Sequence, residues 1–322
     1  MLRKRTISVV APIYNEEDVI ESFLQETIKV LENLSQPYEL ILIDDGSTDS
    51  TLSRCAPFIK ANKHIRLISF SRNYGHEIAS TAGFDNASGD YVILMDSDLQ
   101  HPPEFIPKML KKAAEGYDVV CAARLSRKQE AFFKRISAKF FYRFTRKITG
   151  FDMHADRGNF RLLSRRVVDS LKKMKENNRH LLMMFAYVGF KTATIPYHCP
   201  PRKAGRSKYN LKKLINLSLD SIISFSARPL RMMSVLSIFI SALTMLYAGF
   251  ILMEKLFTHQ QLADGVASII FLTSGLFSIL FLFLAIISEY ISRILIETKN
   301  RPLYYIKHEL NHETIDDLEV FL

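Results

Sequence analysis

Two aspartates separated by a single residue, Asp96 and Asp98, have the spacing in this sequence that most directly indicates chemistry. They follow residues 91–95, an apolar run with the composition of a buried strand. Two carboxylates at the end of a strand can both reach one hard divalent cation, which prefers oxygen ligands and keeps diphosphate oxygens in its shell. Such a metal offsets the charge that develops on a departing nucleoside diphosphate. The pair predicts a divalent-metal site, with an ordinary turn as the alternative.

The periodicity of apolar residues in the N-terminal part predicts the strands and helices that must position this pair. Short apolar, β-rich runs occur at residues 7–13, 40–43, 65–70, 91–95 and 118–122. Segments of helical period lie between them, at residues 17–34, 50–60, 77–86 and 103–115. This alternation predicts an α/β fold with a mostly parallel, Rossmann-like sheet, and such sheets bind ligands beyond the carboxyl ends of their strands.

Polar clusters stand at those predicted strand ends. They occupy residues 12–17, 44–49, 71–76 and 96–100. The sequence contains neither a GxGxxG dinucleotide fingerprint nor a GxxxxGK[ST] phosphate loop, which excludes those two nucleotide-binding classes. Each cluster alone is typical of a turn, but four clusters on one edge of a sheet predict a binding site.

The composition excludes several classes of protein. A length of 322 residues allows about two domains, and a hydrophobic content of 48% is ample for a core and too high for a disordered chain. Three cysteines provide no disulfide framework and predict reduced thiols in the cytosol. Lys and Arg number 43 against 33 Asp and Glu, and this excess of positive charge predicts an anionic partner.

Residues 232–253 and 265–288 contain no charged side chain, and each stretch exceeds the roughly 20 residues that cross a bilayer. They predict a transmembrane two-helix hairpin, the alternative being buried helices of a soluble core. Lys and Arg concentrate outside the connecting loop, so the positive-inside rule places both termini in the cytosol. The expected layout is a cytosolic catalytic domain (1–210), a juxtamembrane amphipathic segment (211–231), the two spans, and a cytosolic tail (289–322).

Residues 124–147 predict an amphipathic helix at a membrane surface. They include nine Lys or Arg, one Glu, and aromatic residues spaced by three and four. Arg124, Lys134 and Arg135 are expected to receive the phosphate of a lipid. The alternative is a surface helix packed on the sheet. No nucleic-acid motif accompanies the charge, so nucleic acid is not an expected partner.

Four motifs together resemble a known family. They are Pro-x-Tyr-Asn-Glu, Asp-Asp-Gly-Ser-Thr-Asp, Arg-Asn-x-Gly and Asp-Ser-Asp-Leu-Gln, which begin at residues 12, 44, 72 and 96. Their order resembles the family 2 glycosyltransferases of GT-A fold. Residues 156–162, residues 206–209 and the two apolar spans narrow the resemblance to polyisoprenyl-phosphate glycosyltransferases. These are the GtrB-type bactoprenol glucosyltransferases and, more distantly, the dolichol-phosphate mannose synthases.

The resemblance implies roles for individual residues. The nucleotide of the donor would be contacted by Pro12, Tyr14, Glu16, Asp44, Asp45 and Asn73. Mg²⁺ or Mn²⁺ would be held by Asp96, Asp98 and Gln100. The catalytic set would comprise Asp156 near the acceptor, with Arg206 and Lys208 in a segment that closes over the donor and acceptor phosphates. Ser207 of the same segment would contact the acceptor phosphate. Asp156 could instead be a turn or capping residue, and one departure occurs at His76, where many relatives carry Lys.

The implied reaction is inverting transfer of a hexose from a nucleotide sugar to polyprenyl phosphate, with UDP-glucose favoured. GDP-mannose and UDP-linked aminosugars remain alternative donors. A processive polysaccharide synthase is disfavoured because the chain lacks tryptophan and therefore a QxxRW motif. A non-catalytic, membrane-anchored nucleotide-sugar sensor stays open. Small residues along the first span would allow packing into a homo-oligomer.

Overall fold

The computed structural model describes residues 5–124, 157–198, 228–258 and 265–315. The chain forms two compact units. One is an α/β unit, to which residues 301–315 also belong. The other contains two long helices.

The α/β unit is built on a mixed sheet that has eight strands within the described ranges. The strands are β1 (Ile7–Ile13), β2 (Tyr38–Asp44), β3 (Ile65–Phe70), β4 (Tyr91–Leu94), β5 (Val119–Arg124), β6 (Arg157–Ser164), β7 (Thr192–Tyr197) and β8 (Ile306–Leu310). Their order is β7-β5-β6-β4-β1-β2-β3-β8. β6 and β8 run antiparallel to their neighbours, and the other strands share one direction. The predicted GT-A-like α/β fold with a mostly parallel sheet is confirmed.

The helices of the α/β unit lie between the strands, as the periodicity predicts. They are α1 (Ile20–Glu32), α2 (Thr51–Ala61), α3 (His76–Asn86), α4 (Ile106–Ala114), α5 (Arg165–Lys173) and α6 (Leu181–Val188). α1 begins three residues later than the expected position 17. Residues 17–19 form a turn instead, in which the N–H of Val19 donates to the carbonyl of Glu16 at 3.0 Å. The N–H groups of Glu16 and Glu17, which would have no partner inside a helix that started here, donate to the side chains of Thr51 and Asp49.

Burial on both faces explains why the central strands are continuously apolar. Every residue of β1 and β4 is buried, and the helices supply the covering side chains, among them Phe23 and Leu24 of α1. On α3, Gly83 lies so close to β1 that a Cβ there would stand 2.0 Å from a methyl carbon of Val10. This contact therefore sets how closely α3 lies to the sheet.

Three strands depart from the order that simple β-α alternation predicts. β6 inserts between β4 and β5, with Leu94 opposite Arg161 and Val120 opposite Leu162. β7 extends one edge of the sheet and β8 extends the other. None of the three was expected, because their partners are distant in the sequence and local periodicity carries no information about such pairing.

The second unit contains α7 (Arg228–Thr258) and α8 (Val266–Thr298). In the described part of the chain, Gly275–Thr298 is the one segment that is long and apolar enough to cross a membrane, with a mean hydropathy of 2.1. Met232–Tyr247 of α7 is a shorter apolar stretch. Large apolar side chains on both helices, such as Phe239 and Phe281, are exposed. The first expected span lies within α7 and the second overlaps α8.

Candidate active site

The register of the parallel strands brings their carboxyl ends to one edge of the sheet. Ile13 of β1 pairs with Asp44 of β2, and Asp44 pairs with Ser69 of β3. β4 lies on the other side of β1, with Leu94 opposite Val10. The loops that follow these four strands are named L1 (14–19), L2 (45–50), L3 (71–75) and L4 (95–102). The polar clusters that the sequence places at strand ends therefore lie along one edge.

L1 and L2 hold each other through Asn15. Its backbone N–H donates to Oγ of Ser47 at 3.0 Å, and its side-chain oxygen accepts the N–H of Thr48 at 2.9 Å. Asn15 has a φ of +51°, a left-handed conformation that asparagine tolerates better than most residues. The half-buried Tyr14 and Glu16, predicted to contact the nucleotide, flank this residue.

Asp44 is a completely buried carboxylate at the end of β2. One oxygen accepts the N–H of Ser47 at 3.0 Å, and the other accepts the hydroxyl of Ser69 at 2.6 Å. Asp44 thus links the end of β2 to L2 and to β3. A buried carboxylate requires such donors, because an unpaired one is strongly destabilising.

Asp45 connects L2 to L3. Its carboxylate accepts the backbone N–H groups of Tyr74 at 2.6 Å and Gly75 at 2.9 Å. Burial raises the pKa of Asp45 above its usual range, and the two amide bonds oppose that shift. Beside it, Gly46 has a φ of +75°, and a Cβ there would stand 2.6 Å from the carbonyl carbon of Arg72. Only glycine suits this close approach of L2 to L3.

Two of the predicted nucleotide-binding residues use their carboxylates to bind other groups of the protein. Asp44 and Asp45 are both buried and bonded to the protein's own groups. Pro12 is buried within β1, whereas Asn73 is exposed in L3. Their contact with a nucleotide stays a prediction, but the structure does bring L1, L2 and L3 together as a nucleotide pocket at this edge requires.

L4 carries the two aspartates and is a strained turn. The hydroxyl of Ser97 donates to the carbonyl of Pro12 at 3.3 Å, which attaches L4 to β1. Leu99 has a φ of +59° and is buried, so core packing holds its backbone in a conformation that costs on the order of 1–3 kcal/mol. Asp98 accepts the N–H of Gln100 at 3.1 Å. Gln100 is 6% exposed, and its metal-ligand role stays a prediction.

Asp96 faces three nitrogen-bearing side chains. Its Oδ1 lies 2.9 Å from Nε2 of His76, and its Oδ2 lies 3.7 Å from Nε2 of His101. Burial by itself raises the pKa of Asp96, but His101, His76 and Arg124 outweigh it and hold that pKa below its usual range. Asp96 is therefore an ionised carboxylate at neutral pH, as a metal ligand must be.

His76 stands where many members of the resembled family carry Lys. Burial lowers its pKa, but the ion pair with Asp96, aided by Glu77 and Asp45, raises that pKa to about 9. Its side chain is 42% exposed, so solvent screens part of this attraction. The departure at this position therefore conserves the charge: an imidazolium occupies the place of the ammonium.

His101 holds L4 in place by a hydrogen bond to its backbone. Its Nδ1 accepts the N–H of Asp96 at 2.8 Å, so the neutral ring carries its hydrogen on Nε2, the atom that faces the carboxylate. Burial lowers the pKa of His101, and its ring stacks on Phe160 at 4.9 Å. Arg124 lies 3.4 Å from His101, and its Nε donates to the hydroxyl of Tyr197 at 3.2 Å.

The described residues contain no cluster of three or more His, Cys, Asp or Glu that could hold a metal by itself. Asp96 and Asp98 fit a different kind of site, in which two carboxylates bind the ion and diphosphate oxygens with water complete its shell. An ion bound at Asp96 would compete with His76 for Oδ1. The donor set suits a hard divalent cation that arrives with its nucleotide.

Several predicted site residues lie outside the described ranges. They are Lys134, Arg135, Asp156, Arg206, Ser207 and Lys208. Arg124 is described and lies beside His101, and its phosphate-binding role stays a prediction. Sequence reasoning missed His101 and Tyr197. His101 directly follows the acidic motif and could have been noticed there, whereas nothing in the sequence links Tyr197 to L4.

Comparison with known proteins identifies the family of this chain. The model of the family described as "Glycosyl transferase family 2" matches residues 8–172. The chain is 41% identical over 307 residues to an uncharacterized glycosyltransferase, YkcC, of Bacillus subtilis, covering 95% of each protein. It is 37% identical over 305 residues to the bactoprenol glucosyl transferase of Shigella phage SfV, covering 94% of this chain and 98% of that protein.

A solved structure supports the fold. Glucosyl-3-phosphoglycerate synthase from Mycobacterium tuberculosis, in complex with Mn²⁺, uridine diphosphate and phosphoglyceric acid, superposes with a TM-score of 0.50. It is 23% identical and covers 68% of this chain and 76% of its own, a likeness that concerns the fold alone. The matched domain and the near-full-length relatives show that this chain belongs to glycosyl transferase family 2.

Proposed function

We propose that this enzyme transfers glucose from UDP-glucose to the phosphate of a polyprenyl lipid, with inversion at the sugar. The observation that carries the proposal is the extent of its match to the bactoprenol glucosyl transferase of Shigella phage SfV. That match covers 94% of this chain, and so includes most of the α/β unit and the helices that follow it. A family 2 domain alone would specify neither a lipid acceptor nor these helices.

The chemistry of the acceptor fits a site rich in cations. A phosphate monoester has a second pKa of about 6, so it is largely ionised at neutral pH and needs little help from a general base. What the chain must supply is in-line positioning and stabilisation of two phosphate groups. Arg124, held by the hydroxyl of Tyr197, lies beside the acidic loop and is suited to bind the acceptor phosphate. Asp156 would orient a basic neighbour or accept a residual proton.

Asp96 and Asp98 would hold Mg²⁺ or Mn²⁺ on the donor diphosphate. The bound ion supplies charge neutralisation for the departing nucleoside diphosphate. Asp96 is ionised because His101, His76 and Arg124 lower its pKa, so the carboxylate needs no proton loss to receive the ion. His76, Arg206 and Lys208 would add positive charge around the same diphosphate.

The membrane arrangement is part of the proposal. One apolar segment, Gly275–Thr298, has the length and composition of a span, and the apolar stretch of α7 would form the other half of a hairpin. Basic residues flank the pair on the side of both termini. The catalytic unit would therefore act at the cytosolic face, where nucleotide sugars are made.

The test of the function is a donor and acceptor panel with the full-length protein in detergent or lipid. With undecaprenyl phosphate and Mn²⁺ or Mg²⁺, UDP-glucose should give a glucolipid and release UDP, while UDP-aminosugars and GDP-mannose give less. Omission of the lipid phosphate should suppress UDP release. Preference for GDP-mannose would replace the donor assignment, and donor binding without transfer to any acceptor would contradict the enzyme assignment.

Asp96→Asn and Asp98→Asn should each lower transfer by about a hundredfold or more, the scale seen when one electrostatic stabiliser of a transition state is removed. The reason is loss of a charged metal ligand from L4. The measurement is turnover across a Mn²⁺ titration, with melting temperature as the check on folding. Asp169→Asn, an exposed residue of α5, is the matched control. Near-normal, metal-dependent turnover in both variants would show that other residues bind the metal.

His76→Lys should retain the catalytic efficiency for UDP-glucose within about threefold, whereas His76→Ala should lower it about tenfold. The physical reason is that Lys restores a cation beside Asp96 and Ala does not. Kinetics at pH 7 with varied UDP-glucose measure the difference. Equal loss in both variants would show that the imidazole ring, and not its charge, matters at this position.

A cysteine introduced at Lys307, which lies on β8, should resist a membrane-impermeant thiol reagent in intact cells and react after lysis. A cysteine at Gln260, between the helices, should react in both. Native Cys55 and Cys121 are buried, and burial raises the pKa of the Cys55 thiol, so their background is low once Cys199 is replaced by Ser. Labelling at position 307 in intact cells would rule out the hairpin.

A further inference from the structure

The chain beyond the last long helix returns to the α/β unit. Residues 301–315, here called the C-terminal strap, include β8, which pairs antiparallel with β3 at the edge of the sheet. Glu309 lies opposite Ile68, and His308 lies opposite Ser69. The register then shifts by one residue, so that Ile306 lies opposite Phe70. Such a bulge bends and twists a strand, and it occurs here where β3 passes into L3.

The strap continues to contact the chain after β3 has ended. The backbone N–H of Ser71, the first residue of L3, donates to the carbonyl of Tyr305 at 3.0 Å. The ring of Tyr304 stacks on the ring of Phe70, with centroids 4.9 Å apart and an interplanar angle of 22°. The hydroxyl of Tyr304 donates to Asp85, near the end of α3, at 3.3 Å. Tyr304 thus contacts both the strand before L3 and the helix after it.

From Phe70 the contacts lead directly into L3. Phe70 meets the ring of Tyr74 edge-on, with centroids 5.6 Å apart. The backbone N–H groups of Tyr74 and Gly75 are those that Asp45 binds. The next residue, His76, begins α3 and pairs with Asp96 of the acidic loop. A short series of contacts therefore joins Tyr304 to Asp45 and, through His76, to the predicted metal ligand.

We propose that the C-terminal strap positions L3 for donor binding, with Tyr304 as its principal positioning residue. The inference rests on the proposed function for its substrate, a nucleotide sugar. Tyr304 touches neither Asp45 nor Asp96 in the described contacts; it acts through Phe70 and the backbone of L3. Because α8 ends at Thr298, only Lys299 and Asn300 separate that helix from the strap. The strap is therefore also the covalent link between the apolar helix and the donor side of the sheet.

The competing explanation is that the strap only covers an open sheet edge. An exposed β3 would present unpaired backbone groups, and Leu310 and Ile315 of the strap are buried in the core. Deletion of residues 301–322 would remove all of these contacts together and would therefore test stability more than positioning. A point change at Tyr304 leaves the ladder of β8 in place and separates the two explanations.

The test compares Tyr304→Ala with Tyr304→Phe in the full chain. Phe keeps the ring on Phe70 and loses the hydroxyl bond to Asp85, whereas Ala loses both. We expect Tyr304→Ala to raise the KM for UDP-glucose about tenfold, with the KM for undecaprenyl phosphate unchanged, and Tyr304→Phe to stay within about twofold of the wild type. Glu309→Gln is the matched control, because Glu309 belongs to the same strap and the change removes only the ion pair with Arg66 of β3, away from L3.

Two further measurements do not depend on turnover. Binding of UDP with Mn²⁺ should weaken about tenfold in Tyr304→Ala and not in Glu309→Gln. Amide hydrogen exchange should accelerate in peptides that contain Ser71, Tyr74 and Gly75, while peptides from α1 stay protected. If Tyr304→Ala fails to fold, Tyr304→Leu retains apolar bulk without the stacked ring and is expected to give the same changes.

Two results would overturn the positioning role of Tyr304. Unchanged UDP binding and unchanged L3 exchange in a folded Tyr304→Ala or Tyr304→Leu chain would overturn the proposal and leave the strap as an edge cover. A parallel rise in the KM of donor and acceptor would also overturn it, because that result reports general loosening. If the wild type binds UDP but transfers no sugar to undecaprenyl phosphate, the proposed function fails while the binding and exchange measurements still decide the role of Tyr304.

Discussion

A carboxylate buried away from water must be surrounded by hydrogen-bond donors, and at Asp45 this requirement joins two loops that belong to different strands. Its oxygens accept the N–H groups of Tyr74 and Gly75, so the end of β2 fixes the path of the chain after β3. Loss of these donors would leave a nearly buried charge unpaired, which costs several kcal/mol. The position of α3 and of His76 follows from this arrangement, because Gly75 precedes the helix directly.

The same requirement applies to the carboxylate of Asp96, which side chains surround in place of backbone N–H groups. His76 and His101 face its two oxygens, and Arg124 lies behind His101. Because these groups hold the pKa of Asp96 below its usual range, its ionised form contributes stability above the ordinary pKa of about 4 and loses it as the pH falls through the folded value. An ionised carboxylate at this position is what the proposed metal site requires of Asp96.

Support for this edge of the sheet comes from remote parts of the chain. β6 brings Phe160 under His101, and β7 brings Tyr197 to Arg124. On the opposite flank, the strap brings Tyr304 to Phe70. The loops thus contain the polar groups, while aromatic side chains from distant strands hold them in place. Aromatic rings suit this work because they bury a large area with few rotatable bonds.

The sequence by itself determined the central strands, the helices between them, the edge of the sheet that carries the polar clusters, and the family. These features are local, because strand and helix periodicity and motifs such as Asp96-Ser97-Asp98 depend only on residues that are close in the sequence. The register of β1 to β4 then places the clusters along one edge of the sheet. α1 starts three residues later than the periodicity predicts. Residues 17–19 form a turn, and the N–H groups of Glu16 and Glu17 bond to the side chains of Thr51 and Asp49, which are distant in the sequence.

Only the tertiary structure decided which distant residues complete the site. The insertion of β6 between β4 and β5, the contact between Arg124 and Tyr197 across 73 residues, and the return of the strap to β3 have no local signature. Such pairings are selected by the burial and hydrogen bonding of whole elements, for which many alternatives exist until the sheet has formed. The charge of His76 is likewise a tertiary property, because the imidazole is cationic at neutral pH on account of the carboxylate that folding places 2.9 Å away.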